Sequence, residues 1–197
     1  MSATTFEFPP PASLAEQGKI HALQGDHAVA LVYYRIAMQQ SQGSDAESRL
    51  LSRYFAECAL ESFEQMHDYQ SVIDYCDRSL NHYESNPPES MIAAKDLAHI
   101  LQRKAVALVK FDQKAAATPL LNDAITLAKK HGFTLPVAET LHNWLRSALH
   151  FDTRRLEGLL QQKSYYAITE KTVDPTRAAP LPPKILSSFQ PGQPARA

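Results

Sequence analysis

Apolar positions recur at steps of three and four residues along most of the chain, the spacing that puts them on one face of an α-helix. The pattern predicts helices over 12–23 and 27–40, then 46–66 and 69–83, then 89–111 and 115–131. Gly25-Asp26 breaks the first pair, Asn86-Pro87-Pro88 separates the second from the third, and His131-Gly132 closes the third. A glycine just past a lysine-rich last turn is a helix stop. Pro136 opens a seventh helix over 136–150, with Val137, Leu141, Trp144, Leu145, Ala148 and Leu149 on its apolar side. Asp152 or Thr153 caps an eighth over about 153–168, with Leu156, Leu159, Leu160, Tyr166 and Ile168 inward.

Within this pattern the first pair is the most specific. Ala30, Tyr34 and Ala37 alternate small, aromatic and small on one face, and Leu14 and Gly18 stand at matching places on the helix before. Small residues at a helix crossing let backbones approach, and the Tyr34 ring fills the space between them. A second copy has Asp68-Tyr69 at the turn, Val72, Tyr75-Cys76 and Ser79-Leu80 after it, and Ala56, Ala59-Leu60 and Phe63 before it. A third has Asp112-Gln113, then Ala117, Leu121 and Ala124, with Leu101, Ala105 and Leu108 before. This pattern, over residues 11–131, resembles the tetratricopeptide repeat, a helix-turn-helix unit that stacks into a solenoid. The equivalent positions Ala37, Ser79 and Ala124 are 42 and 45 residues apart, against a usual period of about 34. The extra length falls around residues 41–48 and 85–90. Lys104 replaces an expected apolar residue, and Pro119 lies inside a helix, where its first turns tolerate it best. The resemblance implies an all-α, right-handed helical array of about three pairs, its last core face covered by the final helices as a cap or degenerate fourth repeat.

Composition divides the 197 residues into an extended segment over 1–11, a helical domain over 12–170, and a proline-rich, disordered tail over 171–197. The prolines cluster at 9–11, at 87–88 and from Pro175 onward. A net charge of −1 leaves no broad nucleic-acid footprint. The charge is uneven: Lys171, Arg177, Lys184 and Arg196 against Asp174 give the tail +3, so residues 1–170 carry −4. Such a tail is either plainly solvated or folded back on an acidic surface. Two cysteines, Cys58 and Cys76, make no disulfide framework and read as buried thiols in a reducing compartment. No apolar run is long enough for a membrane span, and residues 1–11 lack the regions of a secretory signal. The expectation is a soluble, cytoplasmic chain.

The chemistry-bearing motifs are few. Gly-rich phosphate loops, CxxC pairs, His-Glu-x-x-His and G-x-S-x-G are all missing from the sequence. Acidic residues precede histidines by three in Glu64/His67, Asp96/His99 and Glu139/His142, the spacing of di-metal helical bundles. His67 falls at a repeat turn, which disfavours a ligand role, and surface histidines on acidic helix faces account for the rest. No cofactor is expected. In tetratricopeptide arrays the first helix of each pair lines a concave groove that takes a peptide. The resemblance implies that Lys19, then Tyr54, Glu57 and Glu61, then His99, Gln102 and Arg103 line it here. The family's carboxylate clamp for heat-shock chaperone tails needs lysine or asparagine where this chain has Ala15, Lys19, Cys58 and His99; Arg103 alone fits. In the tail, Arg177 three residues before Pro180-Leu181-Pro182-Pro183 looks like a ligand of Src-homology-3 domains, against the plainer reading as a linker. Ile185, Leu186 and Phe189 are an apolar anchor for another protein or for the chain itself. Tyr33 and Tyr83 mark either a self-association face or core. Together these predict a non-catalytic adaptor or scaffold that binds a peptide or helix of a protein partner. A small dedicated chaperone, and more remotely a di-metal bundle enzyme, are the alternatives.

Overall fold

The computed structural model describes residues 8–43, 45–147 and 150–188. Their helices are α1 Pro11–Leu23, α2 His27–Gln40, α3 Ala46–Gln65, α4 Tyr69–Ser85, α5 Met91–Lys110, α6 Lys114–Lys130, α7 Pro136–Arg146, α8 Thr153–Gln162 and α9 Pro183–Ser188, and no strand occurs among the described residues. Among the described residues no helix is long and apolar enough to cross a membrane.

Side-chain caps start four of these helices. Asp45, Asp68, Ser90 and Asp152 each accept a hydrogen bond from the backbone N–H three residues on, satisfying a donor the helix itself leaves free. Pro11 opens α1 at a position where a missing N–H costs nothing. The helix ends share a second device. Asp26 N donates to His21 O, Gln113 to Leu108 O, Phe133 to Ala128 O and Tyr165 to Leu160 O, each reaching back five residues. The residue before each donor has positive φ: Gly25 (86°), Asp112 (59°), Gly132 (73°) and Ser164 (51°). This is the Schellman closure, which needs a left-handed residue and favours glycine there. His67 (60°), after α3, is also left-handed.

The chain divides into two compact units where the sequence reads one helical domain over 12–170. One unit runs to Met66 and resumes at Ala167; the other is His67–Tyr166. The first therefore holds α1, α2, α3 and α9, and the second holds α4 to α8.

In the first unit α1 packs on α2, α2 on α3, and α1 on α3. Its core contains Leu14, Ala15, Ala30, Tyr34, Ala37, Phe55 and Cys58. Gly18 sits so close to Tyr34 that an added Cβ would lie 2.6 Å from Cε1 of the ring. The small–aromatic–small face of α2 thus meets the gap in α1, as its spacing predicts. Two further core members come from the far end of the chain: Ile168 and Leu181, with Ile185 and Leu186 packed beside them. Phe189 and the rest of the tail lie outside the described residues.

In the second unit α4, α5, α6 and α7 pack in chain order. Val72 and Cys76 of α4, Ala98, Ala105 and Val106 of α5, Ala117, Leu121 and Ala124 of α6, and Leu141 of α7 are fully buried. Lys104, out of place by periodicity, pairs with Asp77 of α4. Pro119 lies in the second turn of α6 rather than its first, and is exposed. The eighth helix stops at Gln162, short of the 168 expected, because Ser164 turns left-handed. Tyr166 and Ile168, which continue the apolar period, leave the helix and pack elsewhere.

Candidate functional site

The candidate site is the face of α1 and α3 in the first unit. Lys19 on α1 is 2% exposed and Glu61 on α3 is 4% exposed, unusual burial for charged groups unless they are paired. Both are paired with main chain from residues 167–174. The Glu61 carboxylate accepts from the N–H of Ala167 (2.7 Å) and of Ile168 (3.2 and 3.3 Å). Lys19 Nζ donates to Thr172 O at 2.7 Å and to Tyr54 Oη at 3.2 Å, and pairs with Glu16 at 2.7 Å. Glu16 in turn accepts from Asp174 N at 2.8 Å. Further along, Ala179 N donates to Ser13 O at 3.2 Å and Leu181 N to Tyr33 Oη at 3.1 Å.

The segment is shaped for this run by its own side chains. Thr172 Oγ1 accepts from Thr169 N and donates to Ala167 O, which closes a turn over 167–172. Asp174 Oδ1 accepts from both the N–H and hydroxyl of Thr176, an Asx turn with Pro175 in the position that pre-sets its φ. Those bonds hold the Asp174 carboxyl below the ordinary aspartate range. In place of a structureless tail, residues 171–188 therefore run along the first unit. The hydrogen bonds just described use the segment's main-chain atoms.

Electrostatics at the face favours the charged lysine. Burial pulls the Lys19 ammonium toward its neutral form, but hydrogen bonds to Glu16 and Tyr54 outweigh that and raise its pKa. Cys58 behind it is pushed up to about 12, first by burial and then by Glu61. That shift favours the protonated thiol. Neither cysteine is in a disulfide, and both are buried.

Of the groove residues read from the sequence, Lys19, Tyr54 and Glu61 come together here. Tyr54 is partly exposed, its ring 5.6 Å from Lys19 Nζ. Glu57 pairs with Arg53 on its own helix. The others belong to the second unit, where Gln102 Oε1 accepts from Ala138 N at 3.1 Å and the Arg103 guanidinium lies 4.9 Å from the Tyr165 ring centre. Both are buried, whereas His99 is exposed. In the same unit Lys110 pairs with Glu157 at 2.8 Å and donates to Tyr166 Oη at 3.1 Å.

Sequence reasoning passed over Glu16 and Tyr33 as partners. Glu16 was findable, because it stands three residues before Lys19 on the same helix face. Tyr33 is core, 1% exposed, with its hydroxyl turned to the segment. Tyr83 is half-buried and donates to Asp96 at 2.8 Å. In the tail motif Arg177 and Pro180 are exposed, Leu181 between the prolines is buried, and Pro183 begins α9. Among the described residues no group of three or more His, Cys, Asp or Glu side chains is placed to hold a metal ion. Comparison of the chain with protein-family models, with curated proteins and with solved structures gives no match.

Proposed function

We propose that the chain is a non-catalytic protein-binding module, an adaptor or scaffold of tetratricopeptide-like build, and that the α1–α3 face receives an extended segment of a partner. One observation carries this reading. Lys19 and Glu61, chosen by their repeat positions, hold the main chain of a non-helical segment, the chemistry expected of peptide-contacting positions. Charge-assisted bonds to backbone groups are the strong kind, and they do not depend on the side chains of the bound segment. The protonated, buried Cys58 thiol fits a module without nucleophilic chemistry. The test uses the full chain as bait in native lysate and then screens captured partners as overlapping short peptides. A peptide whose binding is lost in a Lys19→Met, Glu61→Gln double variant supports the reading. Binding that survives both changes moves the site elsewhere, and an absence of any captured partner rejects the adaptor.

A further inference from the structure

Resting on that reading, we propose that residues 167–186 are a displaceable internal ligand of the α1–α3 face, and that the partner is a peptide segment with turns like theirs that replaces them with the same contacts. Such a segment presents consecutive N–H groups to Glu61, a carbonyl to Lys19, and two aliphatic side chains in the places of Ile168 and Leu181, 13 residues apart.

The resident segment has the marks of a ligand. It is joined to the face by hydrogen bonds from Ala167, Ile168, Asp174, Ala179 and Leu181 N–H groups and by the Thr172 carbonyl, all of them main chain. Another chain of different sequence offers the same groups. Between Ala167 and Pro182 it contains turns and irregular backbone but no helix, so it opens without breaking a helical ladder. Beneath it lie Glu16, Lys19 and Glu61, ionisable groups that water solvates when the segment lifts. The apolar anchors are Ile168 and Leu181, which are 8% and 3% exposed, with Ile185 and Leu186 packed beside them. The anchors keep the face occupied in the free chain, and the covalent link gives the segment a high effective concentration. An outside segment then binds with an affinity reduced by the small fraction of open face. Exposed side chains of the resident segment, such as Glu170, Lys171 and Thr176, do not enter the docking.

The experiment adds a fluorescent synthetic peptide of residues 167–186 to the full-length chain and to a full-length Ile168→Asp, Leu181→Asp variant, reading binding by anisotropy. The variant is expected to bind at least ten-fold more tightly than the native chain, and a further Glu61→Gln change to remove that gain. Equal binding by both chains, abolished by Glu61→Gln, overturns the internal ligand and leaves the peptide-binding face standing. Binding by neither folded chain overturns both. Amide exchange on the native chain supplies a second measurement that does not depend on the variant folding. The amides of Ala167, Ile168, Asp174 and Leu181 are expected to exchange at least ten-fold faster than that of Ala37 in α2. Equal protection means the segment leaves only when the whole unit unfolds, and the proposal fails.

Discussion

At Gly18 a single hydrogen atom stands where any other residue carries carbon. The Tyr34 ring takes that space, and Tyr33 Cβ lies 3.1 Å from where the new carbon would be. Gly18→Ala is expected to lower unfolding free energy by about 1–3 kcal/mol, the range for forcing extra volume into a packed core; urea denaturation reads it. Tyr34→Phe should move the other way, by about 1 kcal/mol, because the wholly buried Tyr34 hydroxyl has no hydrogen-bond partner among the described residues and an unsatisfied buried group is costly. The ring and not the hydroxyl is what the site selects. Lys19 carries a pH signature. Its pKa is raised in the folded chain, so its contribution is complete below the ordinary lysine value of 10.5 and is lost as pH rises through the higher folded value. The stability difference between the native chain and Lys19→Met should stay level from neutral pH to about 10 and shrink above it, as thermal melts across that range would show. A difference that is flat to the highest pH would mean that packing, not charge, holds Lys19.

At the scale of the element, caps and closures decide where helices begin and end. The Asp152 cap was legible because the acceptor must come from a short polar side chain at one position. The end of α8 was not. Ser164 adopts positive φ without being glycine, and Tyr166 and Ile168 keep the apolar period going beyond the true end. Asp112 makes the same turn after α5, and aspartate tolerates it better than most residues. Asp112→Gly is expected to stabilise the second unit by about 0.5–1 kcal/mol. Pro119 offers a larger gain. It sits five residues past the start of α6, where it leaves Ala115 O without its helical N–H donor. Pro119→Ala should raise stability by about 1–3 kcal/mol, measured by chemical denaturation. No gain would mean that a bend at Pro119 is needed for packing against α5 and α7.

At the scale of the whole molecule, the first unit is completed by residues that follow the entire second unit in sequence. Glu61 and the N–H groups it holds are more than a hundred positions apart in the chain. Glu61→Ala strands those donors, and Leu181→Asp places a charge in a core site that is 3% exposed. Each is expected to release the segment while α4 to α8 persist, seen as new tryptic cleavage at Lys171 with helical circular dichroism largely kept. Loss of all helical signal on releasing the segment would instead make it an integral part of both units' stability. The Asp174-Pro175 turn follows from its own two residues, but the segment's destination does not, because a turn sets only local dihedrals.

Taken alone, the sequence determined the helices α1 to α8 though not α9, most of their ends, the small–aromatic–small contact of α1 with α2, and the candidacy of Lys19 and Glu61. Each of these follows from period, capping chemistry or side-chain volume, which act over a few residues. Only the tertiary structure decided that the chain forms two compact units, that the polar proline-rich stretch is docked through residue 188, and that the α1–α3 face is already filled. The bonds that fill it run from main-chain groups, which every residue type carries alike. The apolar pair Ile185 and Leu186 hinted that the segment docks, but not which backbone groups bind or on which face.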